Sequence, residues 1–586
     1  MKHMPKYINI LDLRFNGNLN PDLRGLFNEI ANKMHGKFND LVSEISEPYK
    51  YNLDWWVEGP ASRNTQASPF FYYYCSFHLV DELIKRNYKI YGILVDSEAF
   101  RKILKSYLFK KDSSITIKNE KNALGVLFEQ VIKPVMKMFL ELCRRLYQYM
   151  CAYTTKYLEK ALPDRPLILI DIFIIPDFVS GDRYYTGLWG NLSDSQKKIV
   201  FFVPTIVMTP LRKMVSVYTE LRKTERNFLI KEDYLQIKDL LFAVGHYFRI
   251  LNIKIKPCLV IGEDLSLLVQ EELRRMKDFR SAIEGILNCR FAQRVKEKNV
   301  NLSLVVNWFE NYVVDKGWNS GFGKYYPDVK TIGYRGLVPA RLSLSQMYPT
   351  EQELLGKVLP SRIAVIGKGF VESTKKYARN LCVETAPAFR FQHIWKKEKI
   401  TPHSEYYTVL IGLSIMLLES VQIVRMLAAC LPTIMNPKLR FWVKPHPTMS
   451  QDALKGSYGG KWPKELEMVT GTTNNLIRES DILISGMSSI CLEAMTLAIP
   501  VIVVKVLAGL NYNPIPEEVP QELWRPCCTS EEIMKALEYY RNRPQEEIRR
   551  HEKMGNKIRE EYFEPVTREG VTKFLNLDEN TEKEYA

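Results

Sequence analysis

At 586 residues, with 46% hydrophobic and 12% aromatic side chains, the chain is too long for one core and too apolar for a disordered one, so two large domains are expected. Its formal net charge of +15 comes from 82 basic and 67 acidic residues interspersed along the chain, with no long polybasic block, zinc-finger spacing or RNP-like strand to mark it for nucleic acid. Ten scattered cysteines without a CxxC pair fit a reducing compartment, and no run of about 18 uncharged apolar residues is present to span a bilayer. With no signal-peptide pattern at the start, a cytoplasmic protein is expected, with anionic phosphates or a lipid surface as partners and any contact with the anionic membrane surface peripheral.

Residues 7–13 alternate as a first strand, and 21–34 repeat as an amphipathic helix. In the aromatic loop at 55–64, Trp55 and Trp56 are expected to pack onto a core, whereas Arg63 and Asn64 are candidates for an anion or sugar contact with an acceptor. A helix through Leu79 and Ile84 and a strand over 88–96 complete a β-α-β-like fragment. Helical periodicity dominates residues 122–162, where Ile132, Val135, Met136, Phe139, Leu140, Cys143, Leu146 and Tyr147 recur at three- and four-residue steps. Pro134 should kink this helix or restart it. The insertion is expected to pack on the N-terminal domain with Lys133, Lys137, Arg144 and Arg145 in water; the alternative is a helix resting on a membrane surface.

Residues 166–171 read as a buried strand ending in Asp171, followed by Asp177 and a polar, aromatic loop in which Asp182, Arg183 and Tyr184 are candidates to hold an acceptor. Asp171 is either a catalytic carboxylate or the cap of the next turn. After a strand over 301–306, residues 308–311 place Glu310 and Asn311 near a strand's carboxyl end, with Asp315 just beyond. Joining a hydroxyl to an activated sugar requires a group that removes a proton, or a carboxylate that forms a covalent intermediate. Glu310 is the first choice, Asp315 the second and Asp171 the third, with Asn311 among the acceptor contacts. An acidic residue in a first helical turn also stabilises the helix dipole without any chemistry. The first domain is expected to span residues 1–345.

A second domain is expected over 346–545. Residues 362–367 read as its opening strand, with Gly367 and Gly369 in a loop facing the donor, although one GxG lacks the full dinucleotide fingerprint. Residues 439–443 read as the end of a buried strand, and the prolines flanking His446 hold it on a stiff loop beyond. Residues 482–484 form a further strand, and Ile490, Glu493 and Ala494 open a helix that Ser488 or Ser489 can cap. That N-terminus suits a phosphate, to which Lys444 and His446 add positive charge or donors. Residues 450–464 read as an irregular loop, and 546–586 as a helix and tail that brace the domains.

The Lys-Pro-His-Pro run at 444–447, Ser-x-x-Ser-Ser-x-x-x-Glu-Ala at 485–494 and Ile-Pro-Val-Ile at 499–502 resemble the C-terminal half of GT-B glycosyltransferases of bacterial surface polysaccharides. The similarity is to capsule and Kdo transferases, polysialyltransferases and teichoic-acid glycerophosphotransferases. A wider likeness, through residues 182–185 and 308–311, is to surface carbohydrate biosynthesis proteins. The resemblance implies an α/β fold of two Rossmann-like domains facing across a cleft. It also implies a donor phosphate held by His446, Pro447, Ser485, Ser488 and Ser489, the donor being a CMP-linked sugar or CDP-glycerol. Several such enzymes carry a histidine where this chain has Arg335, so no catalytic histidine is carried over there. No Asp-x-Asp motif adjoins the site, and neither a metal ion nor a further cofactor is expected. The expected activity is transfer of a sugar, an acidic one from a CMP donor in the sharpest form, to a glycan or polyprenyl-linked acceptor. Glycerophosphotransfer from CDP-glycerol and a non-catalytic glycan-binding scaffold are the alternatives.

Overall fold

The computed structural model describes residues 7–112, 115–175, 179, 181–396, 405–433, 438–505 and 509–577; Asp177 lies outside them. Its first strands, β1 (Tyr7–Asp12), β2 (Lys89–Val95) and β3 (Thr116–Asn119), pair in parallel as a three-stranded sheet of their own. This divides the single N-terminal domain expected over 1–345. Strand β4 (Leu167–Ile174) already has β5 (Val200–Ile206) and a later strand as neighbours, so the early strands have no free edge of β4 to join. Trp55 and Trp56 are fully buried in the core, as expected, and donate to Ser46 Oγ and Lys50 O.

Strand β5 is buried at every position and β4 at all but Phe173, the continuous apolar run of a parallel strand covered on both faces. A two-residue hairpin, β6 (Leu259–Val260) and β7 (Glu263–Asp264), turns through Ile261 and Gly262, both at positive φ. Asp264 there accepts from the Cys258 and Ser266 N–H groups, the loop and capping role its position suggests. Then follow β8 (Leu302–Trp308), β9 (Lys330–Arg335), β10 (Arg362–Val365) and β11 (Cys382–Thr385), giving a six-stranded parallel sheet ordered β11-β10-β9-β8-β4-β5. Residues 362–365 therefore do not open the second domain. They pair with β9 in register, Arg362 with Ile332 and Val365 with Arg335, and the first sheet ends only at Thr385.

The second six-stranded sheet comprises β12 (Tyr407–Gly412), β13 (Leu439–Lys444), β14 (Leu466–Met468), β15 (Ile482–Ser485), β16 (Val501–Val504) and β17 (Trp524–Cys527), ordered β14-β13-β12-β15-β16-β17. Order reverses between β12 and β15 here and between β4 and β8 in the first sheet. Such switch points open crevices at the strands' carboxyl ends. The fold is thus α/β, two Rossmann-like domains facing across a cleft. Residues 451–458, expected to be irregular, form a helix capped by Ser450.

Two glycines expected to face a donor instead receive the C-terminal chain. A Cβ on Gly367 would lie 2.2 Å from the Tyr562 backbone and one on Gly369 2.4 Å from its ring. The helix Gln545–Tyr562 reaches them after packing through Gly555 on Met495, and Glu564 N–H then donates to Ile366 O. This helix joins the end of one sheet to the flank of the other.

The 122–162 region is helical, but oriented against expectation. Pro134 sits in the first turn of the helix Lys133–Thr154, which restarts after a π-helical turn at Phe128–Ile132. Glu141, Arg145 and Gln148 are buried, whereas Val135, Met136, Phe139, Leu140 and Met150 face solvent. Arg145 is drawn inward by Glu141 (2.7 Å) and Glu284 (2.5 Å), so it does not stay in water.

The helices Phe279–Glu297 and Val313–Tyr325 touch backbone to backbone, since a Cβ on Gly317 would fall 1.7 Å from Gly285 O. Gly317→Ala should therefore destabilise the chain by about 1–3 kcal/mol as the helices separate. A lower apparent melting temperature, relative to the same substitution at the open Gly323 position, is the expected readout.

Candidate functional site

Between the carboxyl edges of the two large sheets lies a cleft of about 610 Å³, lined by Glu310, Asp315, Arg183 and Tyr184 from the first half and by Ile415 and His446 from the second. Glu310 follows β8. Its Oε1 accepts from Trp308 Nε1 (2.8 Å) and its Oε2 from Gln346 Nε2 (3.0 Å), and the side chain is half-buried. Arg335, where relatives by resemblance carry histidine, is buried and donates to Gln346 O (2.7 Å), so it holds the residue that holds Glu310. Tyr184 meets Trp308 edge-on at 4.6 Å, and the Arg390 guanidinium lies 5.6 Å from the Trp308 ring.

Asp315 is buried and caps its helix, accepting from Glu310 N (2.9 Å) and Tyr312 N (3.0 Å). Burial nevertheless pushes its pKa well above the usual carboxylate range, against those two donors. Asp171 is not at a strand end: β4 runs on to Ile174, and Asp171 is buried within the sheet. Burial raises its pKa to about 7, with Lys231 opposing. Thr205 Oγ1, on the cleft wall, lies 3.4 Å from Asp171 Oδ1 and accepts from Lys231 Nζ at 2.8 Å. Lys231 also pairs with Glu284, whose pKa falls to about 2 because Lys231 and Arg145 together outweigh its burial.

His446 stands beyond β13 on the loop its prolines stiffen, half-buried at the cleft. Burial, then Arg183 and Arg390, depress its pKa to about 4, so at neutral pH it carries no charge. Thr448 N–H donates to Nδ1 (3.2 Å), which leaves the ring proton on Nε2. Of the positive charge or donor expected from His446, the structure leaves a neutral N–H donor. Lys444, the last residue of β13, is half-buried, and Pro447 is exposed.

The serine turn does not share this cleft. Ser485 is fully buried, its Oγ donating to Gly412 O (2.6 Å) across β12 and β15, so it ties strands together instead of meeting a donor. Ser489 donates to Glu493 (3.1 Å), which also meets His393 (3.1 Å), and Ser488 is half-buried with its N–H on Gly486 O. Gly486 and Met487 line a second cleft of about 420 Å³ with Arg341, Lys505 and Tyr512. Glu419, which also lines this second cleft, accepts from Met487 N (2.9 Å) and from Ser414 Oγ.

Several expected acceptor contacts are structural. Arg63 is buried, at positive φ, donating to Glu353 (2.7 Å), Asn39 (2.8 Å) and Tyr348 O (2.9 Å). Asn311, also buried at positive φ, donates to Ser345 O (3.1 Å) and Glu353. Asn64 accepts from Gln66 N–H within its own turn, and Asp182 accepts from the Tyr184 and Tyr185 N–H groups. Only Arg183 and Tyr184 of that set reach the cleft. Sequence reasoning missed Arg280, exposed on the cleft wall, and Arg390, whose charge acts on His446; both lie in stretches without functional spacing, although Arg390 sits between two phenylalanines. Among the described residues no group of three or more His, Cys, Asp or Glu side chains is placed to hold a metal ion.

No protein-family model matches the sequence, and comparison with curated proteins gives no match. Among solved structures, UDP-GlcNAc 2-epimerase from Neisseria meningitidis bound to UDP-GlcNAc is similar at 12% identity and TM-score 0.40, covering 70% of this chain and 98% of that one. MurG from Acinetobacter baumannii is similar at 11% identity and TM-score 0.36 (70% and 99% covered), and trehalose 6-phosphate synthase from Burkholderia multivorans at 10% and 0.41 (72% and 97%). At such identities and scores the likeness adds nothing to the sheet order described above.

Arg63→Met should remove the partner of a buried carboxylate and destabilise the chain by about 3–5 kcal/mol, seen as a lower urea midpoint. A stable variant with weakened acceptor affinity would instead return Arg63 to acceptor binding. Asp171 gives a pH signature. Its folded pKa of about 7 exceeds its ordinary 3.8, so the folded chain binds the extra proton and stability falls as pH rises between those values. Asp171→Asn should flatten that part of a stability-against-pH curve.

Proposed function

We propose that this chain is a glycosyltransferase of surface-polysaccharide biosynthesis, moving a sugar from a nucleotide-sugar donor to a hydroxyl of a glycan or polyprenyl-linked acceptor. The observation that supports it most is the pairing of Glu310 and His446 in one cleft, a carboxylate from one sheet's carboxyl edge and a neutral N–H donor from the other's. Glu310, held by two neutral donors and open to the cleft, takes the proton of the attacking hydroxyl. Buried Asp315, favouring its protonated form, and Asp171, inside the sheet, serve that role less well. As the bond from the sugar to the nucleotide's phosphate breaks, His446 Nε2–H donates to the departing oxygen, and Arg183 and Arg280 offset the charge left on it. These arginines suit a donor with a carboxylate as well as a phosphate, which favours an acidic sugar on CMP over CDP-glycerol. The serine turn then acts by holding the strand ends that border the donor.

Glu310→Gln should lower transfer by about a hundredfold or more while donor binding, read by calorimetry against CMP, UDP and GDP, is retained. His446→Ala should lower turnover by the same factor at mildly acidic and mildly alkaline pH, because its ring titrates only near pH 4. Unchanged turnover in both variants would remove the assignment, and binding without any donor hydrolysis would leave a glycan-binding scaffold.

A further inference from the structure

The helix Lys133–Thr154 is inside out. Phe139, Leu140 and Met150 are exposed at 64%, 62% and 62%, whereas Glu141 and Arg145 are exposed at 7% and 6%. In a helix that serves only its own core the apolar stripe faces inward. The surface does not stop at this helix. Helices Met214–Lys223 and Ile237–Val244 pack against it and leave Val215, Ile237, Leu241 and Phe242 exposed beside the stripe. Tyr147 Oη reaches Leu211 O (3.4 Å), tying the helix to a loop whose Met208 is exposed at positive φ, a conformation that non-glycine residues rarely adopt. Met208 and the exposed Ile415 both line the 610 Å³ cleft, so the apolar surface runs to the mouth of the candidate site. A contiguous apolar area of this kind marks an interaction surface.

The charges around it identify the partner. Lys133, Arg212, Lys213 and Lys238 are exposed along these elements. Of the three acidic residues on the three helices, Glu141 and Asp239 are buried in ion pairs and only Glu220 is exposed. A two-fold dimer through this face would set basic rims against the same basic rims. A bilayer with anionic headgroups offers both an apolar interior for the stripe and opposite charge for the rim.

We propose that this face docks peripherally on an anionic lipid bilayer, which brings the cleft mouth to the headgroup level. The docking stands on its own geometry; that it presents the cleft to a lipid-linked acceptor rests on the transferase reading. The test is flotation of the full chain with phosphatidylcholine vesicles, with and without phosphatidylglycerol. Co-flotation with the anionic vesicles, weakened by salt, is expected. The double variant Phe139→Ser, Leu140→Ser should bind at least about tenfold more weakly with an unchanged melting temperature. Lys133→Glu with Arg212→Glu and Lys213→Glu should abolish the preference for phosphatidylglycerol. Absence of flotation, equal flotation of the double variant, or a wild-type dimer that the double variant converts to monomer would each overturn the proposal, the last in favour of a second copy. Transfer to a soluble acceptor, measured in parallel, should survive Phe139→Ser, Leu140→Ser, so failure of docking and failure of the transferase reading are told apart.

Discussion

The carboxylate of Glu353 is the point on which the first wall of the cleft depends. It receives Arg63 from the segment after the first long helix, Lys316 from the helix beyond β8 and Asn311 from the turn between, all buried. Burial alone would raise its pKa, but the two cations hold it at about 2, so it stays ionised. Asn311 is locked at φ 56° by these bonds, and that left-handed residue turns the chain sharply after Glu310. With Asp315 closing the same turn from the other side, Glu310 has little freedom in where its carboxylate points. A buried ion cluster of this kind contributes little net stability against an apolar replacement, but it is costly to break. Its product is geometry.

A second buried network lies under the cleft and has a different character. Lys231 sits between Glu284, firmly ionised, and Thr205, which in turn approaches Asp171. One cation is thus shared by two carboxyls, and it settles with Glu284, which also has Arg145. Asp171 is left with burial and one long hydrogen bond, which is why its proton affinity is so high. Glu310 and Asp315, the two carboxylates that line the cleft after β8, have different surroundings. Glu310 is half-buried and meets side-chain donors, whereas Asp315 is buried on backbone donors and favours its proton.

How much of this was legible in the sequence follows from the range of the interactions. The parallel strands, the stiff loop at His446 and the carboxyl-end position of Glu310 rest on local features: apolar runs, two prolines, a strand followed by a helix. These were readable. The position of 362–365 was not, because an apolar strand carries no label for the sheet it joins. Ser485 looked like a ligand because a small polar run precedes a helix, yet its acceptor lies 73 residues away in β12. Arg63 and Asn311 looked free for the same reason; their partners at Tyr348 and Glu353 are brought near only by the fold. The stripe at 132–147 was legible as a stripe. Periodicity gives the face but not its direction, and the direction is decided by Arg145 meeting Glu284, 139 residues on.

That last pair also joins the two halves of the functional reading. Arg145 belongs to the helix whose apolar side is exposed, and Glu284 both lines the cleft and neutralises Lys231. The surface that faces away from the protein and the floor of the cleft are therefore opposite sides of one helix, linked through a guanidinium that cannot leave without taking from Glu284 one of its two cations. A helix free to lie on its apolar side, as amphipathic helices do by default, would withdraw Arg145 from Glu284 and leave Lys231 as that carboxylate's one remaining cation. The exposed stripe is the consequence of a polar demand from within: the cleft floor requires the charge, and the apolar residues on the far side are left for whatever surface covers them.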